Sequence, residues 1–316
     1  MRGLKMRLGL LVIAASIWGS TLAVDKNKFR TCTQGSFCKR YKKYVKRILK
    51  SPRGEPGSFS HVLDSESLSL EGHIVRARLK HANDNSSTVG DLLLEISLFR
   101  DAVTGNCGIT RLTIDEEAPL YSRFRIRDGD VVSKSLLPDQ ASLQSSAEGI
   151  SLITAAANGN CSVSLRHRPF EVDMSAGGRT LHQLNARHLL NFERYRKRGD
   201  AEHQGLIDAT DVSRETLWEE DFDGHTDKKP RGPAAVGIDV TFANAPVVTG
   251  LAEHACKLHL GSTKFDEPFR LYNLDVFEYE IDTPMALYGN VPMVTAVHRW
   301  MGADNASTTA ASGLLM

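Results

Sequence analysis

Hydrophobic and polar residues alternate with a period of two along most of the chain beyond residue 60. Leu92, Leu94, Ile96 and Leu98 fall on one side of a candidate strand, and Leu93, Glu95, Ser97 and Phe99 on the other. Thr110, Leu112 and Ile114 share a face, as do Ile150 and Leu152. Cys161, Val163 and Leu165 follow, then Phe170, Val172 and Met174. Val236, Ile238, Val240 and Phe242 alternate cleanly, and Phe277, Tyr279 and Ile281 form the last set. Short alternating runs separated by turn residues, such as those from Asp101 to Gly108, predict antiparallel strands with one buried face. No helical pattern recurs between these runs, which argues against a parallel βαβ sheet. The expectation is an all-β chain, a large antiparallel β-sandwich.

Two segments interrupt the pattern. Lys39 to Arg53 is dense in Lys and Arg, with Tyr41 and Tyr44 interleaved. A basic stretch of this kind suits an anionic partner or nucleic acid. The chain carries 39 Lys plus Arg against 38 Asp plus Glu, however, a net charge of +1. That balance excludes a globally basic nucleic-acid binder. The segment therefore reads as a solvated, weakly helical arm, and no nucleic-acid partner is expected. Residues 194–231 are also dense in charge and read as a surface loop or insertion.

The N-terminus places the chain in a compartment. Arg2, Lys5 and Arg7 precede an apolar stretch from Leu8 to Trp18, and Thr21-Leu22-Ala23 supplies small residues before a cut after Ala23. This is the pattern of a secretory signal peptide over residues 1–23, too short to span a bilayer comfortably. No later stretch is apolar enough to cross a membrane, so no membrane partner is expected. In an oxidising lumen, Cys32 and Cys38 are placed to close a small disulfide around a polar loop. Cys107, Cys161 and Cys256 make an odd remainder, so at least one thiol is expected to be free. Asn85, Asn160 and Asn305 head glycosylation sequons. Asn85 sits in a polar, loop-like stretch, and Asn160 directly precedes a candidate strand.

Common catalytic and cofactor motifs do not occur in this sequence. The chain has no phosphate-binding P-loop, no dinucleotide-binding glycine fingerprint, no zinc-protease His pair and no nucleophile elbow. Glu253, His254, Cys256 and His259 bring metal-ligand types together. A zinc site needs about four ligands, usually from paired motifs. No matching partner motif occurs, so no metal site and no cofactor are expected.

Several strings nevertheless carry a resemblance. Val24 to Cys32, followed by Ser36-Phe37-Cys38-Lys39-Arg40, is similar to the mature N-terminus of endoplasmic reticulum glucosidase II α subunits, members of glycoside hydrolase family 31. Arg111-Leu112-Thr113-Ile114-Asp115-Glu116 resembles a strand of that family. So do Arg168-Pro169-Phe170 and the stretch from Asn185 to Glu193. The longest matches run from Trp218 to Pro233, from Arg270 to Phe277 and from Pro284 to Pro292. Together they cover Val24 to about His298.

The resemblance implies an N-terminal sandwich of the galactose-mutarotase type that packs on a catalytic (β/α)₈ barrel. It divides the chain into a signal peptide (1–23), an arm with a disulfide loop (24–60), the sandwich (61–298) and an atypical tail (299–316). The family trims α-1,3-linked glucose from N-glycans in the endoplasmic reticulum lumen, so an N-glycan or α-glucoside is the implied substrate. A regulatory β subunit is the implied partner. Asp275, in the loop Asn273-Leu274-Asp275, corresponds to a segment whose Asp hydrogen-bonds sugar hydroxyls in related enzymes. A carboxylate suits that task because it accepts two hydroxyl hydrogen bonds at once.

Retaining glycosidases need two carboxyl groups across the scissile bond. In this family both lie on the barrel, the nucleophile in a Trp-x-Asp-Met-Asn-Glu string. Trp18, Trp218 and Trp300 are the only tryptophans here and none begins such a string. The sequence therefore carries no catalytic residue by this resemblance, and the chain alone is expected to be inactive, a truncated form of the enzyme. The alternative is a non-catalytic module that binds a glycan or a partner. The Ala- and Thr-rich segment from Arg299 to Met316 is not expected to continue the family's strand pattern.

Overall fold

A computed structural model describes residues 30–55, 57–82, 90–125, 136–156, 160–198, 218–264, 267–276, 279–302 and 306–316. The signal segment, Asn85 and Asn305 lie outside these. One helix, α1 (Ser36–Lys50), opens the described chain. Five strands then form an antiparallel sheet: β1 (His61–Glu71), β2 (Ile74–His81), β3 (Leu92–Asp101), β4 (Cys107–Glu116) and β5 (Leu136–Pro138). They lie in the order β1-β2-β3-β4. β5 joins β3 at Phe99 to Asp101, beyond the point where β2 stops pairing with it.

The second sheet begins with β6 (Ala141–Ser145), β7 (Ile150–Ala155), β8 (Cys161–Arg166), β9 (Glu171–Ala176) and β10 (Arg179–Leu184). The chain next forms β11 (Asn191–Phe192), β12 (Glu219–Phe222), β13 (His225–Lys228) and β14 (Val236–Gly237), in which β12 pairs with β13 and β11 with β14. β15 (Val240–Phe242) then returns to the edge of the second sheet beside β10. The last three strands, β16 (Val247–Gly250), β17 (Met293–Met301) and β18 (Ser307–Leu315), make a separate antiparallel sheet in that order.

The two large sheets face each other across one apolar core. Leu63, Val75, Leu79, Leu92, Leu94 and Ile96 come from the first, and Ile153, Val163, Leu165, Val172 and Leu184 from the second. Each such side chain contributes roughly 1.5–3 kcal/mol by leaving water. The all-β antiparallel sandwich read from the alternation is what the chain forms. The alternation also gives the correct inward face for β3, where Leu92, Leu94, Ile96 and Leu98 are all buried. A disulfide joins Cys107 at the start of β4 to Cys161 at the start of β8, tying one sheet to the other. Cys256 is the free thiol of the five cysteines.

Local alternation misleads in three places. Ile150 and Leu152 do not form the inward face of β7, because Ser151, Ile153 and Ala155 are buried while Leu152 is exposed. Cross-strand pairing decides the matter: Ile153 sits opposite Val163, whose inward direction is fixed by Leu165 beside it on β8. Val236 to Phe242 is not one strand. Val236 pairs with Phe192 and stays exposed, whereas Val240 to Phe242 pair with β10. Tyr279 and Ile281 lie in no strand and are exposed, and Phe277 lies outside the described residues.

The charged segments are more ordered than composition suggests. α1 is an amphipathic helix, not a solvated arm, with Arg40, Tyr44 and Ile48 buried on one face. Tyr41 lies against Gly237, where a Cβ would stand 2.7 Å from the ring. Part of the 194–231 region is the β12–β13 hairpin, and Glu220 on it caps the helix. Its carboxylate accepts hydrogen bonds from the Ser36 backbone N–H (2.6 Å) and hydroxyl (2.8 Å) and from Lys229 (2.5 Å). Burial pushes this carboxyl upward, but the bonds from Lys229 and Ser36 outweigh it and hold the pKa at about 2. A carboxylate also suits the positive end of a helix.

The tail does form a strand. Every residue from Ser307 to Leu315 pairs with β17, in an unbroken register from Met301 opposite Ser307 to Met293 opposite Leu315. Ser312 fastens it to the sandwich. His298 Nδ1 donates to the Ala243 carbonyl (2.6 Å), which leaves Nε2 to accept from the Ser312 hydroxyl (2.6 Å). The same oxygen accepts from His182 Nε2 of β10 (2.7 Å).

Candidate functional site

Asp275 lies in the segment between β16 and β17, which has no regular secondary structure among its described residues. Gly250 starts it with φ +121, and a Cβ there would come within 2.2 Å of the Met293 carbonyl oxygen. Only glycine lets the chain leave β16 so close to β17. Backbone hydrogen bonds then fold the segment on itself. Val291 donates to Ala252 (2.7 Å), Glu253 to Gly289 (3.1 Å), Leu287 to Glu253 (3.2 Å) and Leu274 to Leu287 (2.8 Å). The Glu253 carboxylate also accepts from the Gly289 N–H (2.8 Å).

This folding builds a platform under Asp275. Its neighbours Leu274 and Val276 turn into a small apolar cluster with Leu287, Ala255 and Met285. Tyr288 holds the Val276 carbonyl with its hydroxyl. Asp275 itself is exposed, beside exposed Tyr272 and Asn273. An anchored carboxylate next to an amide and an aromatic ring presents hydrogen-bond acceptors and a donor around an apolar face, the groups that orient a polyhydroxyl ligand. Glu253 and Tyr288 set this geometry, and neither was legible as a site residue in the sequence. Their contacts join positions 36 residues apart (Glu253 with Gly289) and 12 apart (Tyr288 with Val276), which periodicity does not reveal.

The N-terminal arm reaches the same segment. Cys32 and Cys38 are joined in a disulfide, and the Cys32 backbone N–H donates to both oxygens of Glu267 (3.1 and 2.9 Å). Arg270 donates to that carboxylate as well (2.6 Å). Asp275 lies five positions beyond Arg270, so the arm steadies the approach to the loop. Asn160 is exposed, immediately before the disulfide-bonded Cys161. His254 donates through Nε2 to the Gly250 carbonyl (3.1 Å), and its ring lies against Phe269. The Cys256 thiol donates to the Thr283 carbonyl, and burial pushes its pKa up. Both residues thus serve the folding of the segment.

Two stacked antiparallel sheets with this irregular segment beside them define a galactose mutarotase-like sandwich. Residues 94–309 match the family model of the glycosyl hydrolase 31 N-terminal galactose mutarotase-like domain, and the chain belongs to that family. Among curated proteins, it is 34% identical over 314 residues to neutral alpha-glucosidase AB of Sus scrofa, covering 90% of this chain and 30% of the relative. Among solved structures, Tris-bound glucosidase II alpha subunit superposes with a TM-score of 0.70 at 26% identity, over 88% of this chain and 30% of the other. A heterodimeric ER glucosidase II complex, of catalytic subunit and the binding domain of the regulatory subunit, shares the fold with a TM-score of 0.69 at 24% identity, over 90% of this chain and 34% of the other. The chain thus spans about 30% of the length of the relatives it matches.

Proposed function

We propose that this chain is the N-terminal sandwich of an endoplasmic reticulum α-glucosidase that removes α-1,3-linked glucose from N-glycans. In this reading the sandwich supports a catalytic barrel and contributes Asp275 to the sugar-binding rim. The observation that carries it is the anchored, solvent-facing Asp275 loop within a domain of this family. The carboxylate accepts hydrogen bonds from sugar hydroxyls, and the buried neighbours Leu274 and Val276 keep it in place. Hydrolysis itself needs a nucleophile and a general acid that this sequence does not supply, so the chain alone is inactive. The two disulfides suit an oxidising lumen, and Asn85, Asn160 and Asn305 are the proposed N-glycosylation acceptors, Asn85 favoured for the polar sequence around it. A regulatory β subunit is the proposed partner, by analogy with the heterodimeric relative.

The test is a pair of assays on a fluorogenic α-glucoside. The purified 316-residue chain should show no turnover above buffer. Fused in frame to the barrel region of a glucosidase II relative, it should restore activity, and Asp275→Ala in that fusion should raise KM at least about tenfold. Turnover by the chain alone, or an Asp275→Ala fusion with unchanged KM, overturns the corresponding part of the reading.

A further inference from the structure

The outward face of α1 presents an uncompensated row of positive charge. Lys39, Lys42, Lys46 and Lys50 recur at three- and four-residue intervals and are all exposed. They point away from the face that buries Arg40, Tyr44 and Ile48. No Asp or Glu occurs between Ser36 and Gly54. Among the described residues, none of these four lysines has an ion-pair partner.

On the first sheet, by contrast, three basic side chains are paired. Arg76 reaches Glu71 (2.7 Å) and Glu95 (3.0 Å), Arg78 reaches Glu117 (2.7 Å), and Lys80 reaches Asp64 (2.7 Å). For a chain of net charge +1, a row of unpaired lysines on one helix is a local concentration of field, not a reflection of composition.

The row continues past the end of the helix into a pocket. Arg53 lies three residues beyond Lys50 and is 74% exposed. With Arg166, Arg168, Glu171 and His188 it lines an open depression of about 310 Å³. Three arginines line it with a single carboxylate, Glu171, which accepts from Arg166 (3.2 Å), hydrogen-bonds His188 (2.8 Å) and lies 3.7 Å from the Arg53 guanidinium. Arg168 lies over the Phe59 ring and Arg53 donates to the Ala186 carbonyl (3.1 Å), so both heads are held near the pocket. Guanidinium groups so placed fit a carboxylate in a two-pronged contact.

We propose that α1 and this arginine pocket form a docking surface for an acidic polypeptide segment. The lysine row runs about 16 Å along the helix, which an extended peptide spans in about five residues. A small anion would use one or two of these charges, whereas a run of Asp and Glu engages the row and ends in the pocket. Nucleic acid fits less well. Tyr41 and Tyr44 turn inward to bond the Leu189 and Leu190 carbonyls, so the exposed face offers no ring for a base to stack on.

The experiment is fluorescence anisotropy with a labelled polyglutamate peptide of about ten residues, titrated with the full chain at about 0.05 M and about 0.3 M salt. Expected are saturable binding that weakens with salt and a loss of at least about tenfold in affinity for the quadruple Lys39→Gln, Lys42→Gln, Lys46→Gln, Lys50→Gln variant. A control variant carrying Lys228→Gln and Lys257→Gln should bind as the parent does. Should the quadruple variant fail to fold, carbodiimide cross-linking of the peptide to the unmodified chain is decisive, with adducts expected on the four helix lysines. No binding at low salt, equal binding by a folded quadruple variant, or adducts elsewhere overturns the proposal. Tighter binding of a heparin fragment or single-stranded DNA of matched charge overturns it too, in favour of a different polyanion.

Discussion

Arg40 of the helix and Glu193 of the chain following β11 form a buried ion pair, with Arg40 Nε and Nη2 both donating to Glu193 Oε1 at 3.0 and 2.7 Å. Glu193 is fully buried and Arg40 nearly so. The other Glu193 oxygen accepts from the Ala235 backbone N–H (3.1 Å). One carboxylate therefore joins the helix to the β11–β14 ladder. Removing one partner leaves an uncompensated buried charge, so Arg40→Ala should destabilise the chain by roughly 3–5 kcal/mol. Replacing both, as Arg40→Met with Glu193→Leu, should cost less than the sum of the single changes. Chemical denaturation of the three variants reads this directly, and full additivity would refute the coupling.

The Cys107–Cys161 bridge closes a loop with a sequence separation of 54. A cross-link of that span restricts the unfolded chain by about 4 kcal/mol on the chain-entropy estimate. The Cys107→Ser, Cys161→Ser double variant should lose most of that, whereas Cys256→Ser should change stability by less than about 1 kcal/mol. Thermal unfolding under non-reducing conditions separates the two. A large loss at Cys256 with none at the bridge would reverse the assignment.

Acid should weaken the fold through His61. Burial lowers the pKa of this imidazole to about 3, with nearby His81 and Arg194 adding to the effect. The unfolded chain binds a proton near pH 6.5 that the folded chain refuses. Stability from this group is therefore full above about pH 6.5 and falls by roughly 1.4 kcal/mol per pH unit below it, down to about pH 3. Glu220 acts lower, between its ordinary value and about 2, so the window from pH 6.5 to 5 isolates the histidines. His182 and His167 are lowered by burial too and steepen the same slope. His61→Asn should flatten the dependence in that window, and an unchanged slope would remove His61 as its source.

The C-terminal sheet should make the isolated chain self-associate. Val247, Met293, Val297, Met301 and Leu315 are exposed together on its strands. β18 is an edge strand without a single charged residue or proline, the features that keep edges apart. Sedimentation should show concentration-dependent species above the monomer. Thr309→Lys with Leu315→Lys should restore a monomer. A monodisperse parent at high concentration would contradict the expectation.

Much of this protein was determined by its sequence alone. Leu92, Leu94, Ile96 and Leu98 marked both the strand and its inward face, because a side-chain period of two leaves one solution when a face must be buried. The motifs from Trp218 to Pro233 and from Arg270 to Pro292 identified the family, and with it the sandwich. Only tertiary structure decided the rest. Whether Ser151 or Leu152 faces inward depends on the strand opposite. The role of the basic segment depends on Glu193 and Glu220, which lie 153 and 184 residues away along the chain. The pairing of Cys107 with Cys161 depends on two sheets meeting across a core. These are non-local contacts, and a single sequence encodes them only through the packing energy of the whole fold, not through any local pattern.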